Sequence, residues 1–289
     1  MIKNTGKSIR IRLLNLSRKE GMDYMKVLVR YLHERLLFRI SASPYKSHFL
    51  LKGSTLLFAL DGFNARPTID IDLLGEQISN DRTNLKMAFQ KICSIECADD
   101  GVVFDASSLE LEPIAVEKKY PGTCVKVIAH LDTIVQQISV DIGFGDIVTP
   151  YPLSLDYPLL LPDIPSIELY AYSLETLIAE KFHTMVDRDE SNSRMKDFFD
   201  VYQLFTYHEI DMDMLSEAVV NTFHNRNTAY KDSLMLFTDK FAADSIRNTM
   251  WESFLKKIRW KDIIPFPVVM QCIKAVSYTH LRAHETLRH

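Results

Sequence analysis

Thr68-Ile69-Asp70-Ile71-Asp72-Leu73 alternates apolar and acidic residues over its last five positions. On a strand, alternate side chains share a face. Ile69, Ile71 and Leu73 are therefore expected in a core, with Asp70 and Asp72 together on the opposite side. Two neighbouring carboxylates repel and gain nothing from packing. A divalent cation removes that repulsion, and hard oxygen donors suit Mg²⁺. A solvated strand edge would look the same, so the pair needs company.

Company stands on both sides. Upstream, Phe49-Leu50-Leu51, Lys52-Gly53-Ser54 and an apolar run to Leu60 read as strand, tight turn and helix. Glycine lets backbone approach a ligand closely. The first N–H groups of the helix, with the Ser54 hydroxyl, suit a triphosphate. An ordinary turn glycine followed by a serine cap fits equally. Downstream, Ile134 to Phe144 alternates so that Ile138, Val140, Ile142 and Phe144 share one face and Ser139, Asp141 and Gly143 the other. Asp141 can thus complete a three-carboxylate set from two strands, enough to hold two metal ions.

The surroundings supply a fold. Residues 8 to 40 have helical periodicity, divided near Gly21, and Asp81 to Ile95 reads as a helix. Val102 to Phe144 holds several β-like runs, notably Cys124 to Leu131 and Ile134 to Phe144. Prolines at 150, 152, 158, 162 and 165 then mark irregular or extended chain, followed by a short run at Ile167 to Tyr172. Residues 174 to 276 read as four or five helices. The expectation is an α+β chain in which a mixed sheet with flanking helices precedes an all-helical C-terminal domain. The boundaries are 1–150 for the α/β part, 151–172 for a linker with a short strand, and 173–276 for the helical domain. Residues 277–289 are expected to be a disordered or non-native tail.

Two helices of the second half carry candidate charges. Leu174, Leu177, Ile178, Phe182 and Met185 form one apolar stripe, and Lys181 falls near its middle. A lysine there is paired, snorkels, or emerges into a cleft where it can meet nucleotide phosphates. His183 is expected at the surface. In Ser193 to Gln203, Asp197 borders the apolar face while Lys196, Asp200 and Gln203 group on the polar one. Asp197 fits either a first-turn acid complementing the helix dipole or a partner that orients Lys181 or a substrate.

Composition bounds the partners. The chain has 289 residues, 47% hydrophobic and 25% charged, with a net charge of −4, so no global basic field draws in nucleic acid. No apolar run reaches the roughly 18 residues a membrane span needs. Met1 to Lys19 is charged throughout, without an apolar core of signal-peptide length, so the expectation is a cytoplasmic protein with reduced thiols. Cys93 and Cys97 lack a second ligand pair at zinc spacing and read as small core residues.

A Gly-Ser turn, a D-x-D strand and a later strand acid resemble the DNA polymerase beta-like nucleotidyltransferase superfamily. Five stretches, in order, are similar to the AbiEii/AbiGii toxin nucleotidyltransferases: 49–54, 66–75, 140–146, 179–186 and 191–200. The resemblance implies a nucleotidyltransferase fold followed by a helical domain, with Mg²⁺ and an NTP between them. Asp70, Asp72 and Asp141 would carry metal, two ions in all. Gly53 and Ser54 would hold the triphosphate, and Lys181 would contact it from the helical side. Arg66 would add a phosphate contact, although a solvated turn arginine fits equally, and Lys196 and Asp197 match the later motif. It further implies a toxin that transfers a nucleotide to an RNA acceptor, the tRNA 3′ end in some relatives, and a cognate antitoxin encoded nearby. Ile69 departs from the basic or polar residue usual before the first metal acid. A non-catalytic NTP-binding module and a two-metal nuclease are the alternatives. The Gly53-Ser54 turn and Lys181 favour a triphosphate over a nuclease.

Overall fold

A computed structural model describes residues 4–114, 122–229 and 234–286. The chain divides into two compact units, one of residues 1–145 with 153–171 and one of residues 146–152 with 172–289.

The first unit opens with α1 (Thr5–Lys19) and α2 (Tyr24–Ser41), separated at Gly21. Next come β1 (Phe49–Leu51), α3 (Gly53–Asp61), β2 (Ile71–Gly75), α4 (Arg82–Cys93), β3 (Val102–Ile114), β4 (Gly122–Leu131) and β5 (Ile134–Phe144). Two short strands complete it, β6 (Leu153–Asp156) and β7 (Glu168–Ala171). All seven strands form one sheet in the order β3-β4-β5-β2-β1-β7-β6. It is mixed: β2 runs parallel to β5 and β1 to β7, and the other neighbours are antiparallel.

One face of this sheet is closed and the other partly open. Along β4, Thr123, Val125, Val127, Ala129 and Leu131 are buried, while Cys124, Lys126, Ile128 and His130 are only half-buried. That alternation marks an antiparallel sheet packed on one side. Helices α1, α2 and α4 pack against its strands, with Phe89 of α4 edge-on to Phe49 of β1 at 5.5 Å. Helix α2 is buried nearly all round; its Arg39 and Glu34 charges are compensated locally, and Arg30 lies over the Phe58 ring at 3.5 Å. Arg39 donates to Asp100 at 2.5 Å and to the Val102 carbonyl at 2.7 Å. Glu34 accepts from Leu160 N at 2.7 Å and pairs with Arg35 at 2.9 Å.

The proline-rich stretch read as a linker with one short strand holds two, because β6 pairs antiparallel with β7 at the sheet edge. The loop between them is tied to α2 through Leu160, and Arg35 donates to the Pro165 carbonyl at 3.4 Å. Prolines mark irregular chain but do not forbid a short edge strand between them.

The second unit is helical: α5 (Leu174–Arg188), α6 (Met195–Tyr207), α7 (Met212–Asn225), α8 (Asp239–Ala243), α9 (Ser245–Ile258) and α10 (Phe266–Thr286). Its core is aromatic, with Phe198, Phe199, Trp251 and Phe266 all buried. Helix α10 continues to Thr286, through most of the stretch expected to be disordered, and residues 287–289 lie outside the described residues. Among the described residues no helix is long and apolar enough to cross a membrane.

Candidate active site

The site begins where β1 turns into α3. Gly53 has φ +59°, in the left-handed region where glycine is favoured. A Cβ at this position would lie 2.3 Å from Asp72 Oδ2 and 2.6 Å from its Cγ. The glycine is thus required twice, for its backbone and for the carboxylate packed against it. That carboxylate accepts from Ser54 N at 3.0 Å and from Ser54 Oγ at 2.9 Å, and so caps the start of α3 with a negative charge. Ser54 Oγ also lies 2.8 Å from Thr68 Oγ1. The single Ser54 proton goes to the carboxylate, which only accepts. Thr68 is left to donate to Ser54 or to the Asp70 carbonyl, 3.1 Å away.

Thr55 fixes the neighbouring backbone. Its hydroxyl is 3.2 Å from the Asp70 carbonyl and accepts from Asp72 N at 3.3 Å. Lys52 N donates to the Asp72 carbonyl at 3.0 Å. On α2, burial followed by the Arg30 charge pushes the buried His33 imidazole down to about 4, with a smaller opposing contribution from the Ile69 backbone.

The two strand acids meet across β2 and β5. Asp72 is the register partner of Asp141 in the parallel pair, so both side chains leave the sheet on its partly open face. On the far side of Asp141, Cys124 of β4 is its antiparallel partner. Burial, then the hydrogen bond to Asp141 and the charge of Asp141, push the Cys124 thiol up to about 12, with Asp70 adding a smaller contribution. The thiol stays protonated and donates to the carboxylate. Asp70 lies one residue before β2, within electrostatic reach of Cys124.

The expectation for Thr68 to Leu73 needs one correction. The strand begins at Ile71, and Ile69 and Asp70 form a bend, so Ile69 does not enter the core but is 80% exposed. The hydrogen bonds from Thr68 and Thr55 to the Asp70 carbonyl divert the chain before pairing begins. Ile71 and Leu73 are buried as expected. Arg66 is half-buried in the irregular chain before the bend.

In the second unit, Lys181 is buried and paired. Its Nζ donates to Asp200 Oδ2 at 2.6 Å and lies 3.5 Å from Asp197 Oδ1. Arg194 Nε donates to Asp197 Oδ2 at 2.5 Å. Burial is the largest influence on Asp197 and pushes it up, but Lys181 and Arg194 together hold it below the usual carboxylate range. Lys196 is exposed on the same helix. Asp200 and Gln203, read as polar-face residues, are buried instead, because α6 packs against α5, α9 and α10. His183 is likewise buried rather than at the surface. Its Nε2 is 2.7 Å from Thr228 Oγ1 and its Nδ1 3.3 Å from Arg226 Nη1. Arg226 in turn binds Asp146 at 2.7 Å and lies 3.4 Å from Glu180.

Asp70, Asp72 and Asp141 offer only carboxylate oxygens, the donor chemistry of a hard divalent cation. Among the described residues, no group of three or more His, Cys, Asp or Glu side chains is gathered into metal-holding geometry. The fit is therefore one of donor type for all three and of a shared sheet face for Asp72 and Asp141. Sequence reasoning missed Thr55, Asp200 and Cys124. Cys124 had a signal, since it shares the alternation of Lys126 and His130, and Asp200 a partial one, since a lysine inside an apolar stripe demands an acid; Thr55 had none.

Comparison with known proteins gives three results. No curated protein matches the chain. The crystal structure of a candidate nucleotidyltransferase from H. pylori aligns at TM-score 0.49 and 13% identity, covering 92% of this chain and 99% of that one. JHP933 from Helicobacter pylori aligns at TM-score 0.47 and 14% identity, covering 92% and 96%. Likeness at this level assigns no residue a role. The sequence profile described as "Nucleotidyl transferase AbiEii toxin, Type IV TA system" matches residues 35–263, which include both strand acids, the Gly53-Ser54 turn and Lys181. This chain belongs to the AbiEii family of nucleotidyltransferase toxins.

Proposed function

We propose that this toxin transfers a nucleotide from an NTP to an RNA hydroxyl in a Mg²⁺-dependent reaction, with the 3′ end of tRNA as acceptor. The observation that carries the reading is the register of Asp72 with Asp141, on neighbouring parallel strands beside the Gly53-Ser54 turn. Asp70, Asp72 and Asp141 would hold the cation. When bound, it supplies charge neutralisation for the phosphates and acidifies the attacking hydroxyl.

The chain's own residues do the positioning. An RNA hydroxyl oxygen attacks the α-phosphorus in line. The new O–P bond forms as the bond to the β-phosphate oxygen breaks, and pyrophosphate leaves. The hydroxyl proton passes to Asp141, whose carboxylate only accepts. Gly53 and Ser54 keep the triphosphate-holding role that the family resemblance implies. The Ser54 N–H and hydroxyl, which hold Asp72 here, would reach the triphosphate only once Asp72 turns away from them, and Arg66 adds a cation. Lys181 would contact the triphosphate, as the family resemblance implies, with its ammonium oriented by Asp200 and Asp197, and Lys196 and Asp197 match the later family motif. Positioning and electrostatics account for most of the rate in phosphoryl transfer. A cognate antitoxin accompanies such a toxin.

The test is incubation with each labelled NTP, Mg²⁺ and total tRNA, followed by sizing of the RNA. Label in lengthened RNA, abolished by Asp70→Ala, is the expected result. Shortened RNA would point to a nuclease, and no transfer to any acceptor would remove the proposal. Mg²⁺ should also raise the melting temperature of the wild type but not that of Asp72→Asn/Asp141→Asn.

A further inference from the structure

The acidic balance of the chain conceals a concentrated positive site in the second unit. Lys256, Lys257, Arg259 and Lys261 place four cations within six residues at the end of α9, and all four are exposed. None of their side chains has an ion-pair or hydrogen-bond partner among the described residues. Glu252, one helical turn before Lys256, and Asp262 are the nearby acids in sequence, and neither pairs with them. Five cations elsewhere in this unit, Lys181, Arg194, Arg226, Arg247 and Lys274, each hold a carboxylate, whereas Arg188 and Lys240 are exposed and unpaired among the described residues but stand singly in the sequence.

The helix dipole explains only part of this. Lys256 and Lys257 in the last turn complement the partial negative charge there. Arg259 and Lys261 lie beyond the helix end. Arg259 sits at φ +58°, where glycine or asparagine is the ordinary choice and a larger side chain costs about 1–2 kcal/mol. The turn itself is firmly made. Arg259 N donates to the Lys256 carbonyl at 3.1 Å and Trp260 N to the Leu255 carbonyl at 3.0 Å. The Trp260 ring meets Phe199 edge-on at 5.0 Å. Its indole nitrogen is buried without a hydrogen-bond partner, so the ring anchors the turn from inside and is not part of its outer surface. Ile263, just beyond, is 95% exposed.

A turn carrying four uncompensated cations within six residues attracts a polyanion with closely spaced charges. We infer that the α9 turn, Lys256 to Lys261, is a docking surface for the phosphodiester backbone of the RNA acceptor. The inference rests on the reading of RNA as the acceptor and adds where its backbone is gripped. Contacts of this kind carry affinity and salt dependence but no base specificity.

The test uses the full chain and a fluorescently labelled tRNA, with affinity measured from low to physiological salt. The variant K256Q/K257Q/R259Q/K261Q should bind at least about tenfold more weakly at 0.15 M salt. The slope of log affinity against log salt should fall by about 3, since each phosphate contact contributes about 0.7–0.9. A control with four exposed cations changed elsewhere, K7Q/K19Q/R82Q/K86Q, should keep the wild-type slope. Equal melting temperatures establish that both variants fold. Unchanged slope and affinity in the α9 variant would overturn the inference, as would a wild type that ignores tRNA but binds phosphatidylserine vesicles or polyglutamate. The two readings fail separately. RNA bound through α9 without nucleotide addition removes the reaction and leaves the surface, whereas nucleotide addition with an unaltered KM for RNA in the α9 variant removes the surface alone.

Discussion

Substituting Gly53 by alanine tests whether the Asp72 carboxylate is seated against the start of α3. The new methyl carbon would lie 2.3 Å from Oδ2, 2.6 Å from Cγ and 2.7 Å from Cβ of Asp72. Carbon contacts are comfortable near 3.5 Å, so the aspartate or the helix start must move by about 1 Å. The left-handed backbone costs an L-residue about 1–2 kcal/mol, and overpacking adds about 1–3 kcal/mol. At about 2–4 °C per kcal/mol for a domain of this size, the melting temperature should fall by about 4–20 °C. A misplacement of about 1 Å in a catalytic group lowers rate on the order of 100-fold. Gly21→Ala is the internal control: its φ is +63° with nothing within 4 Å of the added Cβ, so only the backbone cost applies. Thermal melts and the labelled-NTP transfer assay are run on both variants. If Gly53→Ala melts with Gly21→Ala and keeps more than a third of wild-type transfer, Asp72 is not held as described.

Lys181→Met leaves Asp197 and Asp200 buried without their shared cation, and should cost roughly 3–5 kcal/mol in denaturant unfolding. An unfolding midpoint unchanged from wild type would refute the buried pairing. In the first unit, two opposed titrations of α2 nearly cancel. Burial and Arg30 lower His33 from 6.5 to about 4, so its contribution is present above pH 6.5 and lost as pH falls to 4. Burial raises Glu34 from 4.5 to about 7, so its contribution is present below pH 4.5 and lost as pH rises to 7. Wild-type stability should therefore be nearly flat from pH 6.5 to 4.5, while Glu34→Gln should lose stability over that window as pH falls. Parallel pH profiles for the two proteins would contradict this.

The sheet and the placing of its acids were largely legible because they rest on period-two patterning. Cys124 to Leu131 and Ile134 to Phe144 alternate cleanly, and β4 and β5 follow with one buried face. The illegible parts depend on contacts between distant segments. Ile69 sits in perfect alternation yet leaves the core, because hydroxyls of Thr55 and Thr68 bind the next carbonyl. Asp200 falls on the polar side of a helical wheel, and a wheel does not record that three other helices cover that side. His183 reads as surface for the same reason, and its environment is set by Arg226 and Thr228, more than forty residues away. The pairing of Lys181 with Asp200 has a partial cue, since a lysine inside an apolar stripe demands an acid but does not say which.

In the first unit, the Gly-Ser turn and the aspartate strand read in the sequence as two motifs eighteen or nineteen residues apart, each with an ordinary explanation of its own. In the fold they are one hydrogen-bonded block. Asp72 supplies the cap that α3 lacks from its own N-cap residue, Lys52, which makes no side-chain capping bond. Gly53 exists in the form it does because Asp72 occupies the space of its missing Cβ. Thr55 holds the Asp70 carbonyl and the Asp72 amide, so the spacing of the two acids is set from the helix and not by the strand alone. A solvated strand edge would need none of these constraints. Their convergence on the Asp72 carboxylate and the Asp70 carbonyl, with Asp141 brought alongside by register, is what supports the proposal of a site here over an accidental D-x-D.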